Sequence, residues 1–428
     1  MQSIRIDKMR FLNGGYAAGC ATMRTVHRGV FLYSGFLMAF LWGSPAAMAA
    51  DAACLQRHGG IPTPFPYAAC CLEQTDVAMR RLCLDQTFAG VPAAIDTPTL
   101  LAQFDEARRR DVLLEHDCHP VAHAIGQRAL RHAGSAGEAL RTCTDSCVFG
   151  CYHGVLERLI VPENAGEETH LTPEELRARL PDICTEDLLP DDSLKMRFQC
   201  LHGLGHAVTY TLGYDLFAAL ETCDVLPHDD RDFCHSGVFM ENMVGTDKAA
   251  RMVSDTDPLY PCSAVEERYK SRCMRDQTRI LLERGWEDDA IADACRSAGP
   301  YAPECFEGFG RDISIAMRTD ATRVIAACML AGTHTHTCVE GVLHGLMDVE
   351  TGGKTGFRFC AALTGTLQDA CFAHGGEYLR TYHGMPLSRI VNECAVADAA
   401  EQRCRLQVMP DRSWVTLWVW EVWEWLGL

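Results

Sequence analysis

Cysteine spacing is the feature that most constrains the fold of this 428-residue chain. Seven cysteines recur every 32 to 39 residues, and six of them are followed by a second cysteine 10 or 11 positions later. In the remaining case, the second cysteine follows after 16 positions. The spacing predicts a repeating unit with its own disulfide. The predicted pairs are Cys184–Cys200, Cys223–Cys234, Cys262–Cys273, Cys295–Cys305, Cys328–Cys338, Cys360–Cys371 and Cys394–Cys404.

The segments between successive pairs have helical periodicity with one internal break. From Cys200 to Cys223 the chain reads CLHGLGHAVTYTLGYDLFAALETC, in which Gly213 is a typical helix C-cap and Asp215 a typical N-cap. Comparable breaks occur at 133–135, 285–287 and 383–386. Each unit is therefore predicted to be helix A, a tight turn and helix B.

The predicted fold class is all-α, an α/α-hairpin repeat solenoid over 118–404 with about one disulfide per repeat. Each disulfide joins the end of helix B to the start of the next helix A and contributes roughly 2–3 kcal/mol. This plan resembles the tetratricopeptide and Sel1-like families, including disulfide-rich Sel1-like proteins. The Trp, Leu-Gly and Tyr pattern of a tetratricopeptide is absent, so the resemblance implies the hairpin architecture and nothing about function.

The other cysteines precede or begin the repeats. Proximity in the sequence predicts the disulfides Cys54–Cys70 and Cys71–Cys83. It also predicts two disulfides among four further cysteines, whose connectivity stays open. That group is Cys118, Cys143, Cys147 and Cys151. Residues 51–117 are predicted to form an N-terminal helical cap with one or two helices.

Residues 1–50 are predicted to be a secretory signal peptide. An apolar run at 29–43 follows Arg24 and Arg28, precedes the small-residue site Ala47-Met48-Ala49 and is too short to span a bilayer. Met23 is the predicted start codon, and an uncleaved N-terminal anchor is the alternative. Cleavage leaves 22 of the 23 cysteines, an even number. We therefore expect an oxidising location, periplasmic or secreted, and no lipid attachment, because Cys54 lies too far downstream.

Several function classes lack their sequence signatures. The net charge of −18 and the absence of Lys/Arg runs argue against a nucleic-acid partner. The chain has no GxSxG elbow, P-loop, GxGxxG, CxxCH haem motif, thioredoxin-type CxxC or HExxH zincin motif. Hydrolase, nucleotide-binding, haem, thiol-redox and metalloprotease chemistry are thus unsupported.

A recurring polar pattern is the candidate functional feature. Positions are counted from the first cysteine of each helix A. A glycine recurs at position three, and the two members of a polar pair recur at positions two and six. The glycines are Gly154, Gly203, Gly237, Gly308 and Gly341, and the pairs are His153/Glu157, His202/His206, Arg275/Arg279, Glu307/Arg311 and Glu340/His344. A spacing of four places each pair on one helix face. The glycines are interpreted structurally, as points of close approach to a neighbouring helix or disulfide.

The N-terminal pairs predict a metal site. His153, Glu157, His202 and His206 fall in consecutive units, and His119 and His123 form another pair at a helix start that contains Pro120 in its first turn. Imidazoles and a carboxylate suit Zn or Cu, with a catalytic role as one use. The alternative is a structural His/Glu/Arg ladder on a non-enzymatic scaffold that binds a peptide or protein along its groove.

The C-terminal segment 405–428 has a different composition. Five of the seven tryptophans lie within 414–428. This clustering is compatible with contact to a membrane surface. A terminal helix that covers the last repeat is the interpretation slightly favoured, because the segment lacks the Lys and Arg residues that assist binding to anionic lipid.

Overall fold

The structure, a computed structural model, describes residues 52–160, 171–185, 187–189, 193–245, 249–317, 320–350 and 352–410. The predicted signal peptide and the tryptophan cluster lie outside these ranges. The described residues contain helices and no strand, which confirms the all-α prediction. Within them, we find no helix that combines the length and the apolar character needed to cross a bilayer.

The first part of the chain mixes longer and shorter helices. They are α1 (Ala52–Arg57), α2 (Phe65–Leu72), α3 (Val77–Ala89), α4 (Thr97–Arg108), α5 (Val112–His116), α6 (Cys118–His132), α7 (Ala136–Thr142), α8 (Ser146–Ile160), α9 (Pro173–Arg179), α10 (Leu194–Thr211) and α11 (Leu216–Cys223).

In the second part of the chain, residues 228–244 and 267–283 form two long helices with no helix in the described residues between them, so the helix B predicted there is absent. Longer and shorter helices then alternate up to residue 393. The helices of this part are α12 (His228–Val244), α13 (Glu267–Glu283), α14 (Asp288–Ser297), α15 (Ala302–Ala316), α16 (Ala321–Met329), α17 (Thr335–Glu350), α18 (Lys354–Ala362), α19 (Gly365–Thr381), α20 (Leu387–Glu393) and α21 (Glu401–Val408).

The N-terminal segment contains five helices, so the prediction of one or two was wrong. Aspartates begin three of these helices by accepting hydrogen bonds from the backbone of the first turn. Asp111 accepts from the amides of Leu113 and Leu114 and thereby starts α5 three residues after α4 ends. Residues 97–116 form two helices and not one, because this cap offers the backbone a favourable new start.

The predicted breaks between helix A and helix B are confirmed. Gly213 has φ +62°, in the left-handed region that glycine adopts without strain, and it separates α10 from α11. Asp215 then accepts a hydrogen bond from the amide of Ala218 as the N-cap of α11. The same arrangement occurs at Ser135, whose side chain caps α7. Local capping chemistry therefore determines where each hairpin turns.

Disulfide connectivity follows the spacing of the cysteines. The seven repeat pairs and the two pairs near the N-terminus are all formed as predicted. The group that sequence left open is joined as Cys118–Cys147 and Cys143–Cys151. Every cysteine among the described residues thus belongs to one of eleven disulfides, so none offers a thiolate to a metal.

Long helices pack against one another in chain order, from α6 through α8, α10, α12, α13, α15, α17 and α19. A contact of a different kind joins α10 to the end of α19, where Lys195 Nζ lies 3.2 Å from His383 Nδ1 across 188 positions of sequence. In an open solenoid each unit contacts only its neighbours. Disulfide-linked helical hairpins are therefore established, and the solenoid arrangement stays a prediction.

Candidate metal centre

Buried histidines from three neighbouring helices form the candidate site. His119 and His123 lie on α6, His153 on α8, and His202 and His206 on α10. Four of these side chains are buried, and His119 is half-buried. Pro120 lies in the first turn of α6, as predicted. The structure therefore brings all five sequence-predicted imidazoles into one region of the interior.

Glycines allow these helices to approach closely enough for the rings to meet. A Cβ atom at Gly154 of α8 would lie 1.9 Å from the carbonyl oxygen of His123, and one at Gly126 of α6 would lie 2.0 Å from that of Cys151. Gly205 and Gly237 provide the same crossing between α10 and α12, at 2.1 and 1.9 Å. The structural interpretation of the recurring glycines is confirmed, since no larger residue fits these helix crossings.

Three imidazoles each offer one nitrogen within 4.8 Å of the others: His119, His123 and His153. His119 Nε2 lies 3.0 Å from His123 Nε2 and 3.4 Å from His153 Nδ1. Bonds of 2.0–2.1 Å to a tetrahedral zinc ion would separate two ligand nitrogens by about 3.4 Å. The ring nitrogens are thus spaced as ligands around one ion.

The outer nitrogens of two of these rings face hydrogen-bond acceptors. His119 Nδ1 lies 2.8 Å from the carbonyl oxygen of Cys147, and His123 Nδ1 lies 3.1 Å from Glu157 Oε1. Neither acceptor has a proton to give, so each Nδ1 donates, and in a neutral ring Nε2 then carries a lone pair. Backbone carbonyl and carboxylate partners of this kind orient metal-binding histidines.

The backbone beside this site is strained. Cys147, Val148 and Phe149 have φ values of 52°, 54° and 61°, which place three consecutive non-glycine residues in the left-handed region. This conformation costs roughly 1–2 kcal/mol per residue. It directs the Cys147 carbonyl toward His119 Nδ1. Strain of this size concentrates at functional sites, where the surrounding structure holds it in place.

Electrostatics keep Glu157 ionised and His119 neutral. Burial opposes ionisation of Glu157, but its interactions with His123 and Arg81 outweigh burial and hold the pKa of the carboxyl well below its usual value. Arg81 Nη2 donates to Glu157 at 3.1 Å. Burial, with a further contribution from His123, lowers the pKa of His119 to about 3. Burial likewise lowers the pKa of His153.

A second histidine pair repeats the first with one difference. His206 Nε2 lies 3.0 Å from His202 Nε2, and His206 Nδ1 lies 2.8 Å from Glu241 Oε2. Tyr214 donates its hydroxyl proton to the same carboxylate at 2.9 Å. However, His202 Nδ1 has no hydrogen-bond partner among the described residues. His202 can therefore keep its proton on Nε2 and donate it to His206, which the first pair cannot do.

Sequence analysis missed two charged residues of this region. Glu241 lies outside the positions two and six that drew attention, and Arg81 precedes the repeats altogether. The half-buried guanidinium of Arg81 interacts with Glu157, Tyr210 and Glu241, whose combined effect outweighs desolvation and raises its pKa. One half-buried arginine therefore faces two buried carboxylates. No local sequence motif identifies such a residue, because its partners lie far away in the sequence.

The C-terminal pairs form a ladder of oppositely charged groups. Glu307 accepts from Arg275 at 2.9 Å and also lies 3.3 Å from His344 Nδ1. Arg311 pairs with Asp276 at 2.8 Å. These contacts between successive helices agree with the structural interpretation for this half of the chain. Three imidazoles converge in the N-terminal part, and charged pairs join successive helices in the C-terminal part, where His344 Nε2 also lies 3.0 Å from His374 Nε2.

One further group has ligand-type residues close together but does not make a metal site. Cys54, His58 and Glu73 offer atoms within 4.8 Å of one another. Cys54 is joined to Cys70, so its sulfur has no thiolate form. His58 Nδ1 is hydrogen-bonded to Asp111. This group is explained by a disulfide and ion pairs.

Comparison with protein-family models, curated proteins and solved structures found no match for this chain. The resemblance to tetratricopeptide and Sel1-like proteins therefore remains one of general plan, and the function has to be argued from the site.

Proposed function

We propose that this protein is an exported, disulfide-rich helical repeat protein that binds a divalent transition metal through His119, His123 and His153. Glu157 belongs to the site as the partner of His123, not as a ligand, because its carboxylate contacts the ring nitrogen that faces away from the cluster. His202 and His206 lie immediately beside this centre.

The observation that carries the proposal is the contact between two lone pairs. His119 Nε2 and His123 Nε2 are 3.0 Å apart, and both rings have acceptors at Nδ1. Two neutral imidazoles in this arrangement repel each other unless a cation lies between them. A proton on His123 is the alternative: Glu157 favours it, burial among the imidazoles opposes it, and its hydrogen bond would reach His119 alone. A metal ion satisfies both nitrogens and a third from His153.

The ligand set indicates the class of metal. Three imidazole nitrogens with no thiolate suit Zn²⁺ or copper, and hard oxygen-preferring ions such as Mg²⁺ and Ca²⁺ fit poorly. Three protein ligands leave a fourth tetrahedral position for water or a substrate, the arrangement of catalytic zinc sites. The partial exposure of His119 supports access to that position.

The disulfides support the proposed location. Eleven disulfides form and persist only in an oxidising compartment, so the proposal includes export to the periplasm or the cell exterior. Stacking of the hairpins into a solenoid also belongs to this proposal and is supported by the chain-order packing of the long helices.

A second candidate function is a non-enzymatic scaffold that binds a peptide or protein. The ladder of Arg275, Glu307 and His344 favours it, because Arg275 and His344 both pair with Glu307 across successive helices. Under this alternative the N-terminal histidines would be structural too.

Metal analysis of the purified protein tests the proposal. After incubation with Zn²⁺ and exhaustive dialysis, we expect at least one bound equivalent in the wild type and none at this centre in His119→Gln or His123→Gln. His132→Gln is the matched control, since His132 is exposed on the same helix. Circular dichroism and disulfide mapping by mass spectrometry verify that each variant folds. A folded wild type without retained Zn²⁺ or Cu²⁺ would contradict the proposal and favour the scaffold.

A further inference from the structure

The start of α10 is joined to the ends of α17 and α19 by buried polar groups. Lys195 Nζ lies 3.2 Å from His383 Nδ1, and His383 Nε2 lies 3.1 Å from Asp348 Oδ1. The carboxylate accepts the proton of Nε2, so Nδ1 carries a lone pair and accepts from the Lys195 ammonium. Lys195 is only 9% exposed, and the side chain of His383 only 4%. These three residues form a clasp that pairs a buried ammonium with a carboxylate through a neutral ring.

Further hydrogen bonds support the clasp. Tyr378 donates its hydroxyl proton to Asp348 at 2.8 Å, and the backbone amide of Lys195 donates to the carbonyl oxygen of Tyr382 at 3.2 Å. The side chain of Gln199 is hydrogen-bonded to that of Tyr382. Because the long helices from α10 to α19 pack in chain order, this return contact closes them into a circuit.

The clasp lies on the face of α10 that leads to the metal centre. Lys195, Phe198 and His202 are spaced by three and four positions, which places them on one helix face. The ring of Phe198 stacks on that of His202 with centroids 5.1 Å apart, and it contacts Tyr382 at 5.8 Å. His202 in turn lies 5.7 Å from His153, a proposed ligand. The end of α19 thus covers Phe198, which covers the histidine beside the centre.

Lys195 also contacts the turn that orients a second ligand. Its ammonium lies 4.7 Å from the centroid of the Phe149 ring, a cation–π contact. Phe149 is the last of the three residues with left-handed backbone, and the first of them, Cys147, presents its carbonyl oxygen to His119 Nδ1. A strained turn keeps its conformation only while its surroundings hold it. The clasp is therefore one of the contacts that hold this turn.

From these contacts we infer that the clasp is a lock on the proposed metal centre. While it is closed, the end of α19 covers Phe198, and Lys195 holds the turn at 147–149. A bound ion leaves only when its ligands separate, and His119 separates from the other two rings when that turn moves. Opening of the clasp thus permits loading and release of the ion. This inference rests on the proposed function and concerns the regulation of the same centre.

An engineered cross-link tests whether the clasp closes. A Cβ atom at Gly384 would lie 4.0 Å from the Cβ of Ser193, within the range of about 3.5–4.5 Å found in disulfides. After oxidation without denaturant, peptide mapping by mass spectrometry should find positions 193 and 384 joined in Ser193→Cys/Gly384→Cys. Ser193→Cys/Gly365→Cys is the matched control, since Gly365 has the same φ of +63° but begins α19 instead of following it. Equally low yields in the two pairs would overturn the closed clasp.

Release of Zn²⁺ into excess chelator tests the lock. The cross-linked variant should release the ion about 10-fold more slowly than Ser193→Cys with its thiol alkylated, because the turn that orients His119 can no longer move freely. Lys195→Met should release it faster than the wild type, and Lys354→Met, at an exposed lysine of α18, should not. Circular dichroism verifies that each variant folds, and the cross-linked protein tests the lock even if Lys195→Met does not.

The outcomes separate the lock from the metal site beneath it. A cross-linked variant that retains Zn²⁺ and releases it as fast as the wild type would overturn the lock and leave the proposed function intact. A folded wild type that retains no Zn²⁺ would contradict both. Slower release from the cross-linked variant together with faster release from Lys195→Met is the result that supports the inference.

Discussion

The Nε2 atoms of His119 and His123 lie 3.0 Å apart, and each ring donates its Nδ1 proton to an acceptor outside the pair. The facing lone pairs of His119 and His123 therefore need a cation between them. His202 and His206 do not, because His202 can donate its Nε2 proton to His206. The relationship between His119 and His123 also makes the acceptors, Cys147 and Glu157, as important to the proposal as the ligands.

The first prediction concerns Glu157. Glu157→Gln should weaken Zn²⁺ binding by about 10–100-fold, because an amide in place of the carboxylate no longer holds the proton on His123 Nδ1. Competition with a chromogenic chelator measures the change. Glu115→Gln is the control, since Glu115 is exposed and contacts Arg108 at the surface. Equal affinities in the wild type and Glu157→Gln would count against the assigned role of His123.

The second prediction concerns pH. In the metal-free protein the pKa of His119 lies near 3, below the 6.5 of an unfolded histidine. Below pH 6.5 the unfolded chain therefore binds a proton that the folded chain does not, and the free energy of unfolding should decrease as the pH falls from 7 to 5. His119 contributes at most about 1.4 kcal/mol per pH unit.

Urea unfolding in the presence of a chelator, with the disulfides intact, checks this dependence. His153 and His202 act in the same direction, because burial lowers the pKa of each. His119→Gln should have a shallower slope than the wild type over this range. An identical slope would show that folding does not lower the pKa of His119.

The third prediction concerns the helix crossing. Gly154→Ala should destabilise the protein by about 1–3 kcal/mol or more and reduce metal binding, because the added Cβ meets the His123 carbonyl at 1.9 Å and forces α6 and α8 apart. Thermal unfolding and metal analysis measure both effects. Gly60→Ala is the matched control, since its Cβ would meet nothing within 4 Å. Unaltered Zn²⁺ retention in Gly154→Ala would argue against a centre formed between these two helices.

The fourth prediction compares two disulfides. Replacement of Cys118 and Cys147 by alanine should lower both stability and metal affinity, because this disulfide anchors the turn that presents the Cys147 carbonyl to His119. Replacement of Cys394 and Cys404 should cost stability alone, about 2–4 kcal/mol. Unfolding by denaturant and Zn²⁺ titration separate the two effects. The turn would be irrelevant to the centre if both double variants bound Zn²⁺ as tightly as the wild type.

Sequence reasoning succeeded where the interactions are local. The repeat cysteines lie 10 to 16 positions apart, and most pairs join the end of one helix to the next helix, so spacing alone identified the partners. Helix caps such as Asp215 are local for the same reason. Among Cys118, Cys143, Cys147 and Cys151 several pairings fit the spacing equally well, and only the geometry of the turn at 147–149 distinguished them.

The candidate site shows the same difference between local and long-range interactions. The sequence identified His119, His123, His153, His202 and His206 because they stand near the cysteines that begin their helices, but it did not indicate which three of them converge. The set with all three nitrogens close together is His119, His123 and His153. This convergence arises from the glycine crossing of α6 and α8, which sets the register between their side chains.

The sequence by itself determined the helical hairpins, most disulfides and the group of histidines, because helix periodicity, capping and short-range pairing depend on residues close together in the chain. Only the tertiary structure decided which nitrogen of each ring faces its neighbour and which carries the proton. Those choices depend on the Cys147 carbonyl, Glu157, Glu241 and Arg81, which reach the rings from other helices. A proton on a buried imidazole is placed by whatever acceptor folding brings beside it, and that acceptor leaves no local trace in the sequence.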